Sequence, residues 1–403
     1  MAASRRSLAV QATLVNSMLT LAPQLIALVV LQPRDFGTFS IVYLLFAWGA
    51  SLQMSVVSEP VGRAHRRGTR GEVDAHYRAV ATYVAAGAGV LAGVVAYLLW
   101  KDAELGLVLG IAAGAACFRV PARYAALLDG DWRGVLLVDL AACAALVVGG
   151  TGAILLDRQA IDIVAWAWAA AMVTACALGM KPLLMWPPAV VRWTRQHRRH
   201  IAPLTLDSLV QDVSSIGAPY VIAPVLGLAN FGIYRAISNV GAPVRLLIEP
   251  LRPSWARIDA HPLRRQLVRA CVFIAVPAGV AATLALELIQ LLPGEFGVLD
   301  ALGPWSVAAG AFVTFNLIAT MFYAAGRLQL GGRALFRGRI AQSGTAIVLP
   351  IGGALLGGLA GAIWGYVAAT ALGSVVWVVL TRPHPRAAPA QDVGHSEIDS
   401  TGI

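Results

Sequence analysis

The sequence predicts an all-α integral membrane protein, with about twelve transmembrane helices in two parallel six-helix lobes. Three observations carry that prediction. Of 403 residues, 58% are hydrophobic and 13% charged, where an ordinary soluble domain has about 25% charged residues; mean hydropathy is +0.71. The apolar residues gather in runs of membrane-spanning length. Short motifs in the first half recur, in order, in the second half.

The runs fall at 8–31, 37–57, 79–100, 105–127, 134–156, 160–180, 202–226, 231–251, 266–292, 301–325, 340–357 and 360–381. Roughly 20 apolar residues cross the hydrocarbon core as a helix, and lipid leaves the backbone no partner outside its own helix. The first run follows Ser4-Arg5-Arg6 and has no small-residue cleavage site. It reads as a span, not as a cleaved signal peptide. The fourth is expected to be the weakest, because Arg119, Pro121 and Arg123 interrupt its second half. Cys117, Cys143, Cys176 and Cys271 all lie within runs, so they read as small core residues. Their spacing suggests neither a metal site nor a redox pair.

The connections alternate in charge. Of the 31 Lys and Arg, all but Arg34, Lys101, Arg158 and Arg235 fall in the tails and in the alternate segments 58–78, 119–133, 181–201, 245–269 and 326–339, which take in the inner ends of some spans. That is the positive-inside pattern, and it places both termini in the cytoplasm; the bacterial inner membrane is what the family resemblance given below implies. The net charge of +10 is then a matter of topology and not of nucleic-acid binding. The resulting organisation is an N-terminal lobe 1–180, a basic cytoplasmic linker 181–201, a C-terminal lobe 202–381 and a disordered cytoplasmic tail 382–403. The linker reads as a segment attracted to anionic lipid.

Asp35-Phe36-Gly37-Thr38-Phe39, between spans one and two, matches Asn230-Phe231-Gly232-Ile233-Tyr234, between spans seven and eight. Glu59-Pro60 matches Glu249-Pro250, and Ala88-Gly89-Val90 matches Ala278-Gly279-Val280. Six spans per repeat is an even number, so both repeats enter the membrane in the same direction. The expected relation is a pseudo-two-fold axis along the membrane normal, with a cavity between the lobes.

Pro33-Arg34-Asp35-Phe36-Gly37-Thr38-Phe39 resembles the turn after the first span of Wzx-type polysaccharide flippases. Leu228-Ala229-Asn230-Phe231-Gly232-Ile233-Tyr234 resembles its counterpart in the second lobe. Gly358-Leu359-Ala360-Gly361-Ala362-Ile363-Trp364-Gly365 is similar to the turn that opens the family's last span. The resemblance covers about 8–381 and implies the multidrug/oligosaccharidyl-lipid/polysaccharide (MOP) exporter superfamily, with its MATE-like architecture. The chain is short for that family. The resemblance implies a flippase for a lipid-linked oligosaccharide or polysaccharide repeat unit, without a cofactor. It further implies membrane lipids and polysaccharide-assembly proteins as partners, and a proton or sodium ion for coupling.

Polar residues inside spans are costly and tend to face a cavity or the bundle interior. In span one, Thr13, Asn16, Ser17, Thr20 and Gln24 share a helical face. In span seven, Asp207, Gln211, Ser214 and Ser215 form a stripe that Asp212 widens. The two spans are equivalents under the repeat. The substrate-cavity candidates are therefore Asn16, Thr20, Gln24, Asp207, Gln211, Asp212, Asn239 and Arg245. The alternative for the hydroxyls is interhelical bonding alone. The aspartates suit either sugar hydroxyls or a coupling ion. Arg63, Arg119, Arg123 and Arg245 are phosphate candidates, because the guanidinium fork donates bidentate bonds; the alternative for each is snorkelling to headgroups. Asp139 and Glu287 read as interhelical or rim partners.

No catalytic constellation is present: all seven histidines lie outside the apolar runs, and no phosphate-binding loop occurs. Two other functions remain open. One is a drug or metabolite antiporter of the same superfamily. The other is a membrane-embedded glycan polymerase or ligase, against which the short outer loops argue.

Overall fold

The computed structural model describes residues 2–66, 75–185, 188–242, 260–330 and 332–382. Every regular element among them is a helix. The first lobe comprises α1 (Ala2–Val30), α2 (Pro33–Leu52), α3 (Glu59–Arg66), α4 (Ala75–Trp100), α5 (Ala103–Leu128), α6 (Trp132–Leu155) and α7 (Ala160–Leu178). The second comprises α8 (Pro188–Asp212), α9 (Ala218–Leu226), α10 (Leu228–Val240), α11 (Ala260–Ala270), α12 (Val276–Leu291), α13 (Ser306–Gln329) and α14 (Gly332–Leu380). Short π-helical stretches join α2 to α3 (Gln53–Ser58), α8 to α9 (Val213–Gly217) and α11 to α12 (Cys271–Ala275).

Ten of the described helical runs are long and apolar enough to cross a membrane. They reconcile with twelve expected spans in two ways. α14 contains two of them, because the helix breaks at Gly357 (φ −135°, ψ 19°) and Gly358 (φ 56°, ψ −137°). The positive φ at Gly358 is cheap only for glycine. The other is the eighth span, expected at 231–251, whose second half lies outside the described residues.

Two expectations change. Span four is not weak: α5 runs unbroken through Arg119, Pro121 and Arg123. Pro121 forfeits one ladder bond without breaking the helix; the Tyr77 hydroxyl of α4 donates to the Pro121 carbonyl at 2.8 Å and ties the two helices together, and both arginines have partners inside the lobe. The basic segment 181–201 is helical from Pro188 onward and continues without a break into span seven.

The ends of the bundle differ. The basic end carries the segments around 59–66 and 181–201. The far end carries the turns at 31–32, 101–102, 156–159 and 292–296. The lobes share one continuous core: at the far end Phe36 and Phe39 of α2 join Phe231, Tyr234 and Ile237 of α10, and the core runs on toward the basic end through Val57, Tyr77, Trp193 and Ile201. Toward the basic end, lobe two has a separate core built on Leu263, Leu267, Phe322 and Trp377.

Among the described residues, the two repeat motifs themselves meet closely across the lobes. Pro33 at the first helical position opens α2, and Gly227 (φ 74°) precedes α10. A Cβ on Gly37 would overlap the Leu228 carbonyl oxygen and lie 3.0 Å from the Gly232 nitrogen. A Cβ on Gly232 would overlap the Pro33 carbonyl oxygen and lie 3.0 Å from the Gly37 nitrogen. Backbone therefore packs on backbone at the junction. Two further ties flank it. The Tyr220 hydroxyl of α9 donates to the Ile41 carbonyl at 2.9 Å. The 3₁₀ turn Gly297–Trp305 seats Gly297 (φ 59°) against the carbonyls of Val29 and Leu31.

Candidate functional site

Lobe one contains a cavity of about 440 Å³ between α1, α2, α5 and α7. Asn16 and Thr20 line it from α1, Arg119 and Arg123 from α5, and Tyr43 and Trp168 from α2 and α7. The arginines lie one turn apart, so both project from one face of α5. Burying them requires counter-charge, and the neighbouring helix α6 supplies it. Arg119 Nη2 is 2.7 Å from Asp139 Oδ1 and Arg123 Nε is 3.3 Å from Asp139 Oδ2.

Helix α1 completes the network. Arg119 Nη2 donates to Asn16 Oδ1 at 2.7 Å, and Arg123 Nη2 donates to the Ala12 carbonyl at 3.1 Å. Arg119 Nε is buried with no hydrogen-bond partner. A second cavity of about 330 Å³ reaches Arg119, Arg123 and Asp139 from the basic end, past Asp129 and Asp131. The Arg–Asp–Arg cluster thus stands between two cavities, and its two guanidinium groups face one carboxylate.

Of the residues that the sequence singles out in lobe one, Asn16, Thr20, Arg119 and Arg123 line this one cavity. The Thr20 hydroxyl bonds to its own helix, at the Asn16 carbonyl, so Asn16 is the member of the span-one stripe that reaches the arginines. Gln24 is buried further along α1, away from the cavity lining. Arg63 ends up in α3.

In lobe two the candidates scatter. Asp207 lies within α8. Gln211 is exposed while Asp212 is buried. Asp212 Oδ2 has no hydrogen-bond partner, and Ser51 of lobe one lies beside its carboxyl. The Ser214 hydroxyl bonds to the Gln211 carbonyl at 2.8 Å and also reaches Ser343 of α14 at 3.2 Å. Asn239 is buried, and its Nδ2 has no hydrogen-bond partner. Arg245 lies outside the described residues.

The sequence marks Asp139 only as an interhelical or rim partner, without naming what it pairs with. The signal was present: an aspartate in span five is adjacent to a span with two arginines and needs a cation. The aromatic wall of Tyr43, Phe46 and Trp168, with ring centroids 5.1 to 5.6 Å apart, gave no signal distinguishable from ordinary core.

The fold is similar to that of a multidrug resistance MATE family transporter of the MOP superfamily in an inward-facing conformation. The TM-score is 0.64 at 14% identity, over 91% of this chain and 93% of that one. It is similar also to a MATE protein in the straight conformation, with TM-score 0.56 and 14% identity over 93% of this chain and 94% of that one. Against a MATE family transporter in an outward-facing conformation the TM-score is 0.50, at 14% identity over 93% of each chain. No family model matches the chain, and no curated protein matches it. The chain is a multi-pass membrane protein with the MATE-like fold.

Proposed function

We propose that this chain is a transporter that flips a lipid-linked oligosaccharide or polysaccharide repeat unit from the cytoplasmic to the outer leaflet by alternating access. The lobes 1–180 and 202–381 rock against each other, and the termini and the basic end lie in the cytoplasm of a bacterial inner membrane. The observation that carries the substrate class is the cluster in lobe one. Arg119 and Arg123 share the single carboxylate of Asp139, and the cavity they line presents guanidinium edges, an amide and a hydroxyl. An excess cation held inside the membrane suits an anionic group. The phosphates that join a glycan to its carrier lipid are such a group.

The backbone contact of Gly37 with Gly232 at the far end and the greater likeness to an inward-facing transporter than to an outward-facing one support a far-end-closed state that loads from the basic end. The glycan head enters between the lobes, the arginines take the phosphates and the lipid tail remains in the bilayer. The coupling ion is a proton or sodium ion, and polysaccharide-assembly proteins are partners.

A second reading is export of a soluble cationic drug or metabolite, as the fold's multidrug relatives suggest. Asp212, buried with one oxygen unpartnered, is the observation in its favour. Mass spectrometry of lipid-linked glycans in cells lacking the protein separates the two. Accumulation of a completed repeat unit on the cytoplasmic leaflet is expected. An unchanged lipid-linked pool with altered sensitivity to cationic drugs would replace the flippase by the antiporter.

A further inference from the structure

The three charged side chains of the lobe-one cluster differ in what they show to the cavity. The Asp139 side chain is 2% exposed, while Arg119 is 10% and Arg123 18% exposed. The larger cavity is lined by both arginines and not by the aspartate. A solute there meets guanidinium groups that a carboxylate already holds from behind. Arg119 also carries an unpartnered, buried Nε, so its donor set is not saturated by Asp139 and Asn16.

Building on the phosphate reading above, we propose that Asp139 is a resident counter-ion that competes with the substrate's phosphates for Arg119 and Arg123. It is a positioning residue: it touches the arginines and not the cargo. With Asp139 present the cluster carries one excess positive charge, and without it two. A phosphate dianion in the cavity is attracted by both arginines and repelled by the carboxylate behind them, at short range and under weak screening. The aspartate therefore lowers affinity. A bare pair of desolvated arginines would hold a pyrophosphate too tightly to release it, whereas an anion that must share its arginines leaves more readily. When the cargo departs, the arginines return to Asp139 and are never left without counter-charge.

The test is calorimetric titration of inorganic pyrophosphate into the purified full chain in lipid nanodiscs, for wild type, Asp139→Asn and Asp139→Glu. Asparagine keeps the shape and one acceptor oxygen while removing the charge. Expected is a Kd at least about tenfold lower in Asp139→Asn, since removing about 1.4 kcal/mol of repulsion gives that factor, and a value near wild type in Asp139→Glu. Release slows correspondingly, so flipping in proteoliposomes falls although binding tightens. A purely structural role moves binding the other way, because disordered arginines bind less well. Equal or weaker binding in a folded Asp139→Asn overturns the proposal.

Should that variant not fold, infrared difference spectra of wild type with isotope-labelled aspartate serve instead. Pyrophosphate must shift a carboxylate band that is missing from Asp139→Glu, and an unmoved band overturns the proposal. Failure of the wild type to bind pyrophosphate overturns the phosphate reading itself. Wild-type binding without tightening in Asp139→Asn overturns the counter-ion role alone.

Discussion

The indole Nε1 of Trp193 donates to the carbonyl oxygen of Val56 at 3.3 Å. Val56 lies in the π-helical stretch that follows α2, and Trp193 lies in α8, which becomes span seven of lobe two. The indole is 3% exposed, with Tyr77 of α4 edge-on at 5.9 Å and the His197 ring at 4.0 Å. α8 has no break before Val213. One rod is thus docked on lobe one at its start and belongs to lobe two at its end.

Replacing Trp193 by alanine should undock the start of α8. Losing a buried tryptophan costs about 3–5 kcal/mol, more than such a short contact surface can recover. Spin labels at Ala75 and Gln196, both exposed, should give one narrow distance in the wild type and a broad distribution in Trp193→Ala. An unchanged narrow distance would show that other contacts hold the rod.

Gly37→Val should disfavour far-end closure. A side chain there meets the main chain of α10, and backbone cannot move aside as a side-chain tip can. Overpacking costs about 1–3 kcal/mol, which shifts a two-state balance about 5–150-fold. Distances between labels at Arg34 and Asn230 should lengthen in the variant. Retention of the short distance would contradict the role of this contact in closure.

Within the charge cluster, Asp139→Ala should destabilise more than Arg119→Ala. Loss of the carboxylate strands two arginines, whereas loss of Arg119 leaves Asp139 bonded to Arg123. Breaking a buried pair from one side costs about 3–5 kcal/mol. Thermal unfolding in detergent should rank the two variants in that order, and the reverse ranking would mean that Arg119 and not Asp139 organises the cluster.

Gly358→Ala should strain the turn between the two halves of α14. Its φ of 56° and ψ of −137° lie in a region tolerated almost only by glycine, at a cost of about 1–3 kcal/mol for other residues. Open space surrounds the position, so the penalty is conformational and not steric. The expected result is a lower unfolding temperature, with the alanine variant of Gly357, whose φ is negative, affected less.

The span pattern was legible because lipid demands long apolar helices, and a hydropathy run reports that demand directly. The repeat was legible too, and the residues that revealed it, Gly37 and Gly232, are those in contact. What sequence could not show was phase. The polar stripe of span seven assumes an unbroken α-helix, but the π-helical stretch Val213–Gly217 inserts extra residues into the turn. Within that stretch the Ser214 hydroxyl bonds both to the Gln211 carbonyl, at 2.8 Å, and to the Ser343 hydroxyl of α14, at 3.2 Å. Nor could composition tell a basic loop from a basic helix at 188–200: the arginines that suggest a cytoplasmic connection are also good helix formers, and the buried positions between them, Trp193 and His197, acquire meaning only once lobe one is in place to receive them. Arg119 and Arg123 looked like interruptions of span four because their counter-charge sits in a different helix, sixteen residues or more further on.

The Gly37–Gly232 junction has one more implication. The contact itself is made of main-chain atoms, with no ionisable group, no hydroxyl and no aromatic face. Main-chain packing of this kind has no protonation state to alter and little dependence on ionic strength. A contact built this way should be as tight in acid as in alkali. Any sensitivity of the far end to pH or salt then rests with its flanks, where the Tyr220 hydroxyl reaches the Ile41 carbonyl, and not with the glycine contact itself.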